Sequence, residues 1–121
     1  MNKAEAIHQF WSSFEIPAYD EFSVPKDAEM PYITYSFVAD SIGQPIPLTA
    51  NLWYRESTWT NIDQKVKEIA DYIGYGYTSK KIEDGYVWIV RGGAFAQRMD
   101  DPSDPLIRRV YLNIIAEFLT A

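Results

Sequence analysis

LIRRVYLNIIAEFL, residues Leu106–Leu119, is either the last strand of a sheet or a third helix, and the rest of the chain is arranged by that choice. Leu106, Arg108, Val110, Leu112, Ile114, Ala116 and Phe118 alternate with Ile107, Arg109, Tyr111, Asn113, Ile115, Glu117 and Leu119. A period of two with this β-branched and aromatic content predicts a strand. Ile107, Tyr111, Ile114 and Phe118 also fit helical spacing and keep a helix as the alternative.

Working outward, the segment before it, GGAFAQRMDDPSDP, reads as a loop, with Gly92 and Gly93 where the chain leaves the preceding strand. YTSKKIE and YVWIVRG flank Asp84 and Gly85, and an Asp-Gly pair suits the positive φ angles of a two-residue hairpin turn. Upstream, Ile62, Val66, Ile69, Ala70 and Ile73 form one helical stripe in NIDQKVKEIADYIG, with Thr60 or Asn61 as N-terminal cap and Gly74 as stop.

YITYSFVAD and the stretch Leu48–Glu56 alternate like strands across the turn SIGQPIP, and an antiparallel pair is the simplest connection. At the start, Ile7, Phe10, Trp11 and Phe14 fall at i, i+3, i+4 and i+7, one face of a helix that ends before Pro17. IPAYDEFSVPKDAEMP, between them, suits an ordered connection or a short strand. The expectation is a single α+β domain over 1–121 in the order αββαβββ. A helix at about 3–14 precedes a largely antiparallel sheet of about five strands with a central helix over 32–119.

Composition narrows the function. The chain has 121 residues, 47% of them apolar and 16% aromatic, enough to bury a core rather than stay disordered. Its net charge of −6 opposes nonspecific attraction to phosphate backbones and anionic lipid, while permitting a wall along which DNA slides without adhering. With no cysteine there is no disulfide framework, thiolate nucleophile or cysteine metal site. The N-terminus has no continuous apolar signal region, and no apolar run approaches bilayer length, so a soluble, unexported protein is expected.

Chemistry-bearing residues are sparse. His8 is the only histidine, too few donors for zinc and the sole base available to a serine triad. Asp100, Asp101 and Asp104 offer oxygens suited to calcium, but lack the glycine and distal glutamate of an EF-hand, and a solvated turn explains them better. Gly92 and Gly93 belong to neither a P-loop nor a dinucleotide fingerprint. The aromatics Trp53, Tyr54, Trp59, Tyr72, Tyr75, Tyr77, Tyr86 and Trp88 lack the basic groove of a base-stacking platform and point to core or interface packing. Because both sets of alternating residues are apolar in several strands, the sheet is expected to be covered on both faces. Two helices fall short of that cover, which points to a neighbouring subunit. No catalytic residue, cofactor or metal is assigned.

MPYITYSF, NLWYRESTWTNIDQKVKEIADYIG, DGYVWIVRGGAFAQRMDDPSD and RRVYLNIIAEFL follow one another as in small tail-completion proteins of long-tailed bacteriophages and prophages. From about Pro31 to the end, the chain resembles the tail-terminator group, also called minor tail or minor capsid proteins. The resemblance implies a non-enzymatic virion protein, assembled in the bacterial cytoplasm. It implies a homo-oligomeric ring, a hexamer, that caps the tail tube and joins it to the head connector while DNA passes through unbound. It also places Arg91–Asp101 in a contact loop, with Phe95, Arg98 and Met99 as anchors, Arg91 beside them, and Asp100 and Asp101 at the rim. The alternatives are a head-closure or adaptor protein of the neck and, from another class, a small-ligand-binding domain or enzyme using Tyr54, Arg55 or Glu117.

Overall fold

The structure, a computed structural model, describes residues 1–38 and 44–120. It contains α1 (Lys3–Trp11) running into a 3-10 turn (Ser12–Phe14), β1 (Ala18–Asp20), β2 (Tyr32–Tyr35), β3 (Pro45–Arg55), α2 (Thr60–Ile73), β4 (Thr78–Ile82), β5 (Gly85–Met99) and β6 (Ile107–Thr120). The α+β class holds. The sheet has six strands rather than five, in the order β1-β2-β3-β6-β5-β4, and is mixed because β1 runs parallel to β2 while the other pairings are antiparallel.

Leu106–Leu119 is a strand, and the reason lies in its neighbours. β6 sits inside the sheet, paired along its length with β3 and β5, so both of its edges are hydrogen-bonded and its even-numbered face lies in the core. Val110, Leu112, Ile114, Ala116 and Phe118 are buried, whereas the alternate residues from Arg109 to Leu119 stay half-exposed. On the buried side they meet Leu48, Ala50 and Leu52 of β3 and Val87 and Ile89 of β5 in one core cluster that also holds the apolar stripes of the helices.

Ile7, Phe10, Trp11 and Phe14 are all buried, and Phe10 meets Trp11 and Phe14 edge-to-face. Asn2 and Glu5 form a reciprocal capping box that satisfies the first free amides of α1. α2 starts differently from expectation. Trp59 occupies the N-cap position without a side-chain hydrogen bond, and Asn61 instead donates to the Glu56 carboxylate at 3.0 Å. Gly74 ends the helix at φ 77°, where a side chain would be strained.

Three further expectations change. The residues left between the strands at the β4–β5 hairpin are Glu83 and Asp84, because Ile82 pairs with Gly85, and neither Asp84 nor Gly85 takes positive φ. β3 begins at Pro45, so the second half of SIGQPIP is strand, while 39–43, holding the expected turn, lies outside the described residues. GGAFAQRM is not a loop. β5 continues through it to Met99 across an irregularity in which four residues, 92–95, face the single Asn113 between the pairs Arg91↔Ile114 and Ala96↔Leu112. Asn113 donates to the Ala94 carbonyl at 3.0 Å, and Ala94 takes φ 50°, which fixes the bulge.

Candidate functional site: the open face of the sheet

The sheet has two unlike sides. Even-numbered positions of β3 and β6 carry the core beneath the helices. The odd-numbered positions form the other face, on which the described residues place no helix. Register puts Tyr32, Trp53, Arg109 and Met99 in one row across four strands, and Thr34, Asn51, Tyr111 and Gln97 in the next. Further along lie Pro47, Ile115 and Val90, then Glu117 and Trp88, then Leu119 and Tyr86. The face is mixed: Thr34, Asn51, Gln97, Thr49 and Asn113 make a largely polar middle between the Tyr32–Trp53 rings and an apolar, aromatic end that also holds Glu117.

Its two ends differ in how they are finished. Near β2, the Trp53 indole donates to the Thr34 hydroxyl at 2.9 Å, Arg109 donates to Asn51 at 2.8 Å, and the Arg109 guanidinium lies 5.1 Å from the Trp53 ring centroid. Tyr19, Tyr32 and Trp53 continue the row as neighbouring rings. Burial pushes the Tyr32 hydroxyl above its ordinary pKa, with Tyr19 adding to the shift. Trp53, Thr34, Arg109 and Asn51 thus satisfy one another in two pairs. Near β4, Tyr77 stacks on Trp88 at 4.6 Å, yet Tyr77, Tyr86 and Trp88 are 53%, 50% and 40% exposed. Aromatic area of that kind is costly to leave in water.

The six residues that the resemblance placed in a contact loop do not form one patch. Arg91 and Arg98 share the parity of Ile114 and Val110 and therefore stand on the helix-bearing side. Arg98 donates to Asp63 at 2.7 Å and covers Trp59, and Arg91 covers Tyr75 at 5.3 Å. Phe95 packs partly buried against the core from within the bulge. Met99 alone lies on the open face, beside Arg109. Asp100 and Asp101 lie in the turn beyond it, at a shallow cavity of about 300 Å³ that Met99, Trp59 and Arg108 also line.

Two carboxylates of the acidic turn, Asp101 and Asp104, are hydrogen-bonded. Asp101 accepts from the hydroxyl and then the backbone amide of Ser103, which hold its carboxyl below the usual carboxylate range. Asp104 accepts from the Leu106 amide and from Arg55 at 2.8 Å, and these lower its pKa in that order. Among the described residues, no group of three or more histidines and carboxylates is arranged to hold a metal ion. His8 contacts the Tyr35 hydroxyl at 2.8 Å through Nδ1 and Ser12 at 3.3 Å through Nε2, tying α1 to β2.

Tyr54, Arg55 and Glu117 do not converge on a pocket. Tyr54 faces the core, whereas Arg55 and Glu117 sit on the open face at opposite ends of the β3–β6 ladder. Ten residues of strand separate them, about 33 Å at the usual rise. Residue-level reading missed Ile115, Leu119 and Pro47 as members of the exposed face. Their signal was the second set of alternating apolar positions, which no helix among the described residues covers.

Fold and face together define an α+β domain with both helices on one side of a six-stranded sheet and a face on the other whose β5–β6 end is largely apolar. Comparison of the chain with protein-family models, with curated proteins and with solved structures finds no match in any of the three.

Proposed function

We propose that this protein is a non-catalytic assembly protein of a long-tailed bacteriophage or prophage, a tail terminator that closes the tail tube as a homo-oligomeric ring. The observation that carries the reading is the open sheet face. Pro47, Val90, Ile115, Leu119, Tyr86 and Trp88 form an apolar surface, interrupted by Glu117, on a chain that already has a complete core on the other side. Apolar surface of this kind marks a place where another protein sits.

Two further features support it. Cyclic assembly uses two different patches on each subunit, and the two ends of this face differ in chemistry. The net charge of −6 suits a ring whose lumen lets DNA pass without gripping it. Met99, Asp100 and Asp101 flank the face at one end, a position suited to contact with the tail tube or head connector.

The experiment is electron microscopy of particles produced by a phage from which this gene has been deleted. A terminator predicts overlong, uncapped tails. Leaking heads beside tails of normal length would assign the protein to the neck instead, and particles of wild-type appearance would overturn an assembly role.

A further inference from the structure

The geometry points to a binding site for an arginine side chain, carried on a basic segment of a partner protein, in the polar cavity between the end of β3 and the first turns of α2. Asn61, Gln64, Lys65 and Glu68 fall at i, i+3, i+4 and i+7 on α2, a polar stripe beside the buried Ile62, Ile69 and Ile73. Together with Tyr54, Glu56 and Pro31 they line a cavity of about 370 Å³.

Tyr54 marks this cavity as more than a surface hollow. It is 6% exposed and belongs to the core cluster, yet it also lines the cavity, and its hydroxyl takes part in no hydrogen bond among the described residues. Burial, with Glu56 and then Glu68 adding to it, pushes that hydroxyl above its ordinary pKa, so both carboxylates stand near it. A buried polar group without a partner is costly, and a ligand in this cavity would supply one.

The charge of the site selects a cation. Lys65 is already committed, its ammonium donating to the Phe14 carbonyl at 2.6 Å and to Glu68 at 3.1 Å. Glu56 is half-buried, accepts only from the neutral Asn61 amide at 3.0 Å, and has no ion-pair partner among the described residues. A carboxylate, a phenol oxygen and the Gln64 amide are thus left to a ligand, in a space that already holds one ammonium. A metal ion needs several carboxylates converging on one point, and the described residues hold no such group. A guanidinium presents five donors in a fixed planar fork and meets acceptors that stand apart.

The surroundings select a segment over a free arginine. Pro31 also lines the neighbouring cavity of about 580 Å³, which carries Glu15, Asp27 and Glu29, none with an ion-pair partner among the described residues. The residues lining the two cavities include five carboxylates, and Lys65 is their only lysine or arginine. A basic chain crossing Pro31, with one arginine beside Tyr54, sets its next cations against the second group of carboxylates.

The test is calorimetric titration of the full chain at low salt with acetylated, amidated hexa-arginine, which is expected to bind. Tyr54→Phe keeps the ring and removes only the hydroxyl, and is expected to weaken binding about tenfold, the scale of one hydrogen bond to a charged group. Glu56→Gln should weaken it at least as much. Glu21→Gln removes the same charge from an exposed residue that lines neither cavity, and should leave the affinity within about twofold. Hexalysine is expected to bind more weakly, and N-acetylarginine amide more weakly still because it cannot reach across Pro31. Undiminished binding to Tyr54→Phe, or equal losses in Glu56→Gln and Glu21→Gln, would reduce the attraction to net charge and overturn the site. N-acetylarginine amide binding as tightly as the peptide overturns the partner segment, and displacement of the peptide by calcium chloride but not by sodium chloride of equal ionic strength assigns the cavity to a metal ion instead. Absence of hexa-arginine binding overturns the proposal outright. Each of these failures leaves the ring reading standing, because none of them concerns oligomeric mass.

Discussion

The guanidinium of Arg98, on β5 beyond the bulge, lies 4.5 Å from the ring centroid of Trp59, the residue that opens α2. Arg108 of β6 approaches the same ring at 5.4 Å, and Arg98 also donates to Asp63 in the first turn of the helix. The uncapped start of α2 is thus held from the sheet by side chains in place of a capping side chain of its own. Arg98→Ala is expected to lower stability by about 1 kcal/mol, the usual scale of an exposed cation–π contact with a half-exposed ion pair. Urea unfolding at low and high salt checks it, and the difference between variant and wild type should shrink at high salt.

A second expectation concerns α1, which the resemblance did not cover. Phe10 is fully buried and meets Trp11, Phe14 and Tyr72, so the helix is part of the core and not an appended arm. Phe10→Ala should cost about 3–5 kcal/mol. A midpoint of urea unfolding within the error of wild type would show that α1 contributes nothing to the fold.

At the bulge, a Cβ on Gly92 would lie 3.1 Å from Asn113 Cβ and 3.2 Å from the Asn113 carbonyl oxygen. Gly92→Val is therefore expected to destabilise by about 1–3 kcal/mol through crowding against β6. Gly93, whose added Cβ would meet nothing within 4 Å, supplies the control. Thermal unfolding of the two valine variants should separate them, with the position 92 variant unfolding first.

The acid side of the stability profile should depend on Asp104. Its folded pKa is depressed by the Leu106 amide and then by Arg55, so its contribution is full above the ordinary carboxylate value of about 3.9. That contribution falls away as pH drops through the lower folded value. Asp104→Asn should flatten the loss of thermal stability below about pH 4, while leaving the slope between pH 6 and 8 unchanged. An identical acid limb in wild type and variant would contradict this.

Particular residues show why the fold was only partly legible in the sequence. The stripe from Ile7 to Phe14 and the alternation from Val110 to Phe118 each belong to an element whose period is unbroken, and each reads correctly. β5 does not, because four residues opposite Asn113 shift the face of everything after Arg91. Two half-strands out of phase, joined through Gly92 and Gly93, carry the period of neither element and resemble a loop. β1 is three residues long and is held by parallel pairing to residues fifteen positions downstream, a long-range relation that local pattern does not encode. For the candidate site, the doubly apolar alternation was visible, but which set of residues faces the helices is settled only by packing. The six contact residues were placed by resemblance, whereas the bulge brings Arg98 to the side of Arg91 and strand alternation then turns Met99 to the other.

The central claim is that the open face is covered by copies of the same chain, and the mass of the purified wild-type protein in solution tests it most directly. Light scattering across a concentration series is expected to give one closed homo-oligomer of fixed mass. A strict monomer at high concentration, unchanged by added tail tubes, would contradict the account.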